Sequence, residues 1–351
     1  GGIELPAAGS IDTREIGAQL GARYLLQGTV RKSGDHLRVS ANLVEAATGL
    51  AIWSQNYDRS LTAEALFQVQ DDIRERIVAT LGDLHGVIYS DHGKRIKQRP
   101  TSELKAYECL ALALVYDKYI SEENHLMARD SLERAIEIDP LYDEAWAHLS
   151  WIYTDEWVWG FNPRPGSKER ALAAARKSIE LAPDNYHNHW LLSRVYYFKG
   201  DLEGFRAAAG RALELNDRDG STLGLIGLYT AWSGAWEEGL AMLDKAKQLN
   251  PNYPPYYHVP YGTFAYARGD YSAALEHFTR AHLPDWPLTP ILLAATHTRL
   301  GHADKAEAQV AAFHAMTGER TSEAVQAYLL RSLPFQPELA REISRLPAWR
   351  G

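Results

Sequence analysis

Apolar residues recur along most of this chain at spacings of three and four, which lays one stripe along a helix. Between Gly220 and Pro251, Leu223, Ile226, Leu243 and Leu249 form such a stripe. Gly227, Gly239 and Ala246 put small side chains where two helices must approach closely. This segment is expected to be two antiparallel helices joined by a tight turn at Gly234 and ended by Pro251. Nearer the amino terminus the period changes. Leu37, Val39, Ala41 and Leu43 alternate with His36, Arg38, Ser40 and Asn42, the pattern of a strand with one buried and one wet face. Turn signals at Ser33-Gly34-Asp35 and Ala47-Thr48-Gly49 flank it. Tyr24 to Val30 suits a strand before it and Ala51 to Tyr57 one after it, giving a three-stranded antiparallel meander. Asp12 or Thr13 can cap a short helix to Leu20, closed by Gly21. Leu66, Val69, Ile73, Ile77 and Leu81 predict an amphipathic helix over Leu61–Leu81. Residues 1–10 carry no periodicity.

From Glu103 the helical pattern repeats. Repeat ends fall at Pro140, Pro183, Asp217 and Pro251, with a fifth near Trp286, at spacings of 43, 34, 34 and 35 residues. The hexads before the first four are AIEIDP, SIELAP, ALELND and AKQLNP. First-helix segments AWAHLSWIY, HWLLSRVYY and LGLIGLYTA also correspond, and turns recur at Gly200, Gly234, Gly269 and Gly301. The period and its punctuation resemble the tetratricopeptide repeat. The expected fold is therefore mainly α: a tetratricopeptide-repeat superhelix of five to six helix pairs, preceded by a small α/β module with the meander. The expected divisions are residues 1–82 for the module, 83–102 for a linker, 103–320 for the repeats and 321–351 for a helical cap. The long interval places nine extra residues between the helices of the second repeat, in Glu156–Ser167. That insertion holds Trp157, Trp159, Phe161 and Arg164. It is either a lid over the superhelical groove or a seal against the next repeat.

The run from Glu15 to Val78 is similar to the second half of the TolB-like amino-terminal domain. The matching residues are Gly21, Tyr24, Gly28, Val30, Gly34, Arg38, Leu43, Thr48, Gly49, Trp53, Tyr57, Asp58, Gln70 and Asp71. The resemblance implies a module lying between an effector and tetratricopeptide repeats in bacterial regulators. The effector it implies is a class III adenylate or guanylate cyclase, or a winged-helix DNA-binding domain. The opening strand of that domain is not recognisable in residues 1–10, so a sheet edge is expected to be exposed. Such an edge calls for a partner, and a homodimer through the α/β module is one expected assembly. The carboxyl-terminal LPFQPELAREISRLPAWRG resembles the close of cyclase-linked repeat proteins, which implies a native end there. The Gly-Gly start without Met implies that upstream sequence has been removed.

Composition removes several function classes. A net charge of −8 argues against non-specific nucleic-acid binding by the whole surface. The basic run Lys94, Arg95, Lys97 and Arg99 reads as a solvated helix end or linker, because few aromatics interleave it. Cys109 is the single cysteine, so neither an intramolecular disulfide nor a thiolate cluster can form. No stretch of 18 apolar residues is present, so no transmembrane helix is expected. A cytoplasmic location is expected, or a periplasmic one if a membrane span lies upstream. No phosphate-cradling, zincin or nucleophile-elbow motif occurs. His187 and His189, two apart, point to different faces of a helix, and His277, His282, His297, His302 and His314 lack companions at ligand spacing. No metal, cofactor or catalytic residue is therefore expected. Asp155 and Glu156 diverge on a helix and do not form an acid/base pair.

Projecting the repeat register onto the concave face nominates Trp151, His187, Trp190, Arg194, Tyr197, Trp232, Tyr256 and Tyr266. Aromatic rings with one guanidinium suit a protein or peptide partner or a small organic ligand. The same side chains could instead pack between neighbouring helices. The leading expectation is a non-catalytic regulatory and interaction region that biases an attached effector, which the resemblance implies is a nucleotide cyclase. The alternatives are a sensor region of a winged-helix regulator, a free-standing adaptor, or an enzyme with its site in the aromatic groove.

Overall fold

The computed structural model describes residues 13–20, 22–60, 77, 104–250, 253–281, 283, 285–319 and 321–349. The chain divides into two compact units, Gly1–Gly82 and Asp83–Gly351. The opening residues 1–10, the Asp12 cap, Gly21, the helix expected over Leu61–Leu81 apart from Ile77, the basic run and Pro251 lie outside the described residues.

In the first unit, α1 (Thr13–Leu20) leads into strands β1 (Tyr24–Ser33), β2 (His36–Glu45) and β3 (Ala51–Ser60). They form the expected antiparallel meander in the order β1-β2-β3. Alternation sorts the faces. Leu37, Ala41 and Tyr57 are buried together, with Val39, Trp53 and Ile77 packed against them. On the wet face, Arg38 of β2 forks onto Asp58 of β3 through Nε–Oδ1 at 2.6 Å and Nη2–Oδ2 at 3.2 Å. Gly34 turns β1 into β2 with φ of 58°, a left-handed conformation that glycine adopts without penalty.

The second unit is a stack of antiparallel helix pairs. They are α2 (Ala106–Lys118) with α3 (Glu122–Ile138), α4 (Asp143–Val158) with α5 (Ser167–Leu181), and α6 (Tyr186–Phe198) with α7 (Leu202–Leu215). Next come α8 (Gly220–Trp232) with α9 (Trp236–Leu249), α10 (His258–Ala267) with α11 (Tyr271–Ala281), and α12 (Leu288–Arg299) with α13 (Ala303–Thr317). A last pair follows, α14 (Ser322–Ser332) with α15 (Pro337–Ser344). This is the tetratricopeptide-type architecture expected from the period.

The hexads have a physical meaning. Their first residues, Ala135, Ser178, Ala212 and Ala246, are each at most 1% exposed. In each case the carbonyl accepts the backbone N–H of the residue that ends the helix: Asp139, Ala182, Asn216 and Asn250. A small side chain and a closed last turn thus recur at one place in these four repeats. Gly239 shows the tightest approach to another helix's backbone. A Cβ there would lie 2.3 Å from the Ala231 nitrogen and 2.4 Å from the Gly227 oxygen, so α8 and α9 touch backbone to backbone. Among the described residues of this unit one core cluster runs from Leu104 to Trp349.

The insertion divides in two. Helix α4 continues to Val158, and an irregular connection carries Trp159 to Gly166 before α5 begins at Ser167.

Candidate functional site

The nominated residues lie on the first helices α4, α6, α8 and α10 and in the turn before α10, and the structure buries nearly all of them. Trp190 and Tyr197 of α6 and Trp232 of α8 are fully enclosed, and Tyr266 of α10 and Tyr256 in the turn before it are buried. Arg194 is 2% exposed and Trp151 of α4 is 7% exposed. His187 alone of the eight is only partly buried. What covers them comes from far along the chain. The Phe335 ring lies 5.3 Å from that of Tyr197, and Gln336 Nε2 donates to the Trp232 carbonyl at 3.1 Å. Tyr266 donates to Glu342 at 3.4 Å, and Glu342 also pairs with Arg299 at 2.5 Å. The carboxyl-terminal segment thus folds back onto the inner helices.

At the centre sits a buried ion pair that sequence reading did not assemble. Arg194 donates to Asp155 Oδ1. The other oxygen, Oδ2, accepts from Tyr116 Oη at 2.7 Å and from Trp151 Nε1 at 2.8 Å. Arg194 Nε donates to Tyr229 Oη at 2.8 Å, and the guanidinium lies 4.9 Å from the ring centres of both Trp151 and Phe198. Burial alone would lower the Arg194 pKa, but Asp155 and Tyr229 outweigh it and hold the group firmly protonated. Burial first, and Asp155 second, push the Tyr116 hydroxyl far up. These groups bind one another, and as arranged they offer no free base or nucleophile.

Glu156, the next residue along α4, anchors a second network. Its carboxylate, 1% exposed as a residue, accepts from Arg129, Arg164, Arg170 and Ser167. Arg164 reaches on to Glu133, so the insertion is tied to α3 and α4. The Glu133 carboxylate is opposed by its own burial, yet bonds from Arg164 and Tyr153 keep its pKa below the usual range. Trp157 stays partly exposed beneath Lys168, while Trp159 and Phe161 are buried. Trp159 meets Phe198 of the next repeat at 5.7 Å and Trp286 at 5.0 Å. The adjacent carboxylates inside an otherwise aromatic run, WIYTDEWVWGF, were the one available signal for both networks.

His189, His258 and His277 make contacts within the scaffold. His189 Nε2 bonds the Pro183 carbonyl, as Trp146 Nε1 bonds that of Pro140 one repeat earlier. His277 meets His258 of the neighbouring helix, Nδ1 to Nδ1 at 3.2 Å, a pairing that linear spacing does not reveal. Among the described residues no three His, Cys, Asp or Glu side chains converge as a metal site. Likewise no described helix is long and apolar enough to cross a membrane.

His148 of α4 is buried and faces His187. Burial first, and that neighbour second, lower its pKa to about 3. The unfolded chain takes up this proton near the ordinary value of about 6.5. The folded state refuses it until about pH 3. Stability is therefore full above pH 6.5 and falls as the solution is acidified below it, by roughly 2 kcal/mol at pH 5 from this group. Thermal melts at pH 7.5 and pH 5 should show the loss, and a His148→Gln variant should lose less over the same interval. An equal loss in the variant would remove His148 as the cause.

No family model matches this chain. A stretch of 183 residues is 29% identical to "Putative adenylate cyclase 3" of Rhizobium meliloti (strain 1021), covering 52% of this chain and 30% of that protein. The chain thus spans under a third of that relative's length. Among solved structures, human IFIT1 in its dimer with PPP-AAAA matches with a TM-score of 0.50 and 22% identity, over 69% of this chain and 57% of that one. A tetratricopeptide repeat protein from Parabacteroides merdae matches with a TM-score of 0.38 and 15% identity, over 70% of this chain and 99% of its own.

Proposed function

We propose that this chain is a non-catalytic regulatory and interaction region that modulates an attached nucleotide cyclase. The observation that carries the cyclase link is the 183-residue likeness to a protein so named, in a chain whose larger unit is a helix-pair array. The TolB-like resemblance of residues 15–78 supports the same reading, with the meander as the coupling module between effector and array. Stacked helix pairs offer extended surfaces to proteins and peptides. We assign partner contact to the nominated residues that keep solvent-facing surface, His187, Trp157 and Arg164. To the buried set, Trp151, Trp190, Arg194, Tyr197, Trp232, Tyr256 and Tyr266, we assign the rigid inner layer that holds those contacts in place.

A partner on this array can bias a cyclase only if it binds two states of the whole protein differently. The test has two parts. The isolated chain should convert no ATP to cyclic AMP. In the full-length protein, deleting residues 104–349 should change cyclic AMP output at least about twofold, the effect of a coupling near 0.4 kcal/mol. Cyclic AMP made by this chain alone, or an output indifferent to the deletion, would refute the reading.

A further inference from the structure

Between the second and third repeats the surface dips into a hollow of about 230 Å³. Small-molecule sites run from about 300 to 1,000 Å³, so this smaller one suits side chains of a protein segment instead. Most of it lies on α5. Lys168, Glu169, Leu172, Ala173 and Arg176 follow one another at helical spacing along one stripe of that helix. Lys199, the residue that caps α6, closes the far side.

The charge here runs against that of the chain. The whole protein carries −8, yet three cations and one carboxylate line this hollow. All four are exposed. Other cations on and beside α5 have partners. Arg164 and Arg170 pair with Glu156, and Lys177 pairs with Glu180. Among the described residues no carboxylate pairs with Lys168, Arg176 or Lys199. Positive charges gathered around one concavity and left uncompensated draw in a negatively charged group.

The floor is apolar. Leu172 is partly exposed and Ala173 exposed, and they lie between the cations at the two ends of the stripe. Trp157 extends this apolar surface beside Lys168, whose Nζ lies 5.2 Å from the ring centre. The same ring meets Phe198, the neighbour of Lys199, edge-on at 6.3 Å, which fixes it at the junction of the two repeats. A partly exposed aromatic ring held in place is a usual anchor for a protein partner.

We propose that this hollow docks an acidic peptide segment of a partner protein. Its carboxylates face Lys168, Arg176 and Lys199, and an apolar side chain lies over Leu172. The proposal rests on the reading of the array as an interaction region. That reading is tested by cyclic AMP output after deletion, so a failure of peptide docking alone leaves it standing.

The test uses the whole chain and fluorescence anisotropy, with labelled octaglutamate as the probe at about 50 mM salt, where surface charges are only partly screened. Saturable binding is expected with Kd below about 1 mM. A Lys168→Gln, Arg176→Gln, Lys199→Gln triple variant should bind about tenfold more weakly. An Arg211→Gln, Lys245→Gln, Arg280→Gln control removes the same charge elsewhere and should lose less than about twofold. All six positions are exposed, so both variants should melt within about 2 °C of the parent. Octathymidylate has similar charge but needs a stacking platform for its bases, and it should bind at least about threefold more weakly than octaglutamate. Equal losses in the two triple variants would overturn the proposal, because the whole surface and not this hollow would then hold the peptide. So would octathymidylate binding as tightly as octaglutamate, or the absence of saturable peptide binding.

Discussion

An Asp155→Ala variant is expected to lose about 3–5 kcal/mol of folding stability, the cost of leaving one partner of a buried ion pair without the other. Three donors point at this carboxylate, from Arg194, Tyr116 and Trp151, and both Asp155 and Arg194 are about 2% exposed in their side chains. Removing it strands a guanidinium among the rings of Trp151, Phe198 and Tyr229. For a unit of this size the melting temperature should fall by roughly 6–20 °C. The second half of the experiment separates charge from shape. Adding Arg194→Met to Asp155→Leu should recover much of the loss, because hydrophobic pairs often replace buried ion pairs at little cost. A single variant that melts within 2 °C or so of the parent would mean that the pair is not desolvated as described.

Trp232→Ala should be nearly as damaging, at about 3–5 kcal/mol, because it empties a large volume in the middle of the array. Trp232 is 1% exposed, its Nε1 donates to Thr263 Oγ1 at 3.1 Å, and Gln336 bonds its carbonyl. Trp157→Ala, at a partly exposed ring, is the internal control and should cost far less. Denaturant melts of both variants decide the matter. If Trp232→Ala melts like the parent yet weakens binding of a partner, the inner face is open and Trp232 is a contact residue. If it melts early, Trp232 belongs to the interior.

Several features were legible because they are local. The small first residue of each hexad, from Ala135 to Ala246, reports a helix end and a close packing point within one repeat. Gly34 and Gly234 report turns that need a positive φ, which both adopt. The alternation from His36 to Leu43 reports a sheet face. In each case the cause and its signal lie a few residues apart.

The inner layer was legible only in part. The stripe of Trp151, Trp190 and Trp232 marks the inward face of successive first helices, and its period is visible without coordinates. Whether such a face is open depends on what reaches it. Phe335 and Gln336 reach it from the carboxyl-terminal pair, and no property of the stripe announces them. Asp155 meets Tyr116 across 39 residues and Arg194 across another 39. His258 meets His277 from the facing helix, which spacing along either helix could not suggest.

By itself, then, the sequence determined the helix pairs, their period, the meander and the place of the insertion. Each follows from hydrophobic periodicity and turn chemistry acting over one or two turns of chain. Only the tertiary structure decided that the nominated aromatics are enclosed, that two adjacent carboxylates anchor separate networks, and that three cations meet at one hollow between repeats. Those outcomes depend on small rotations accumulated over many stacked repeats, which bring distant side chains together.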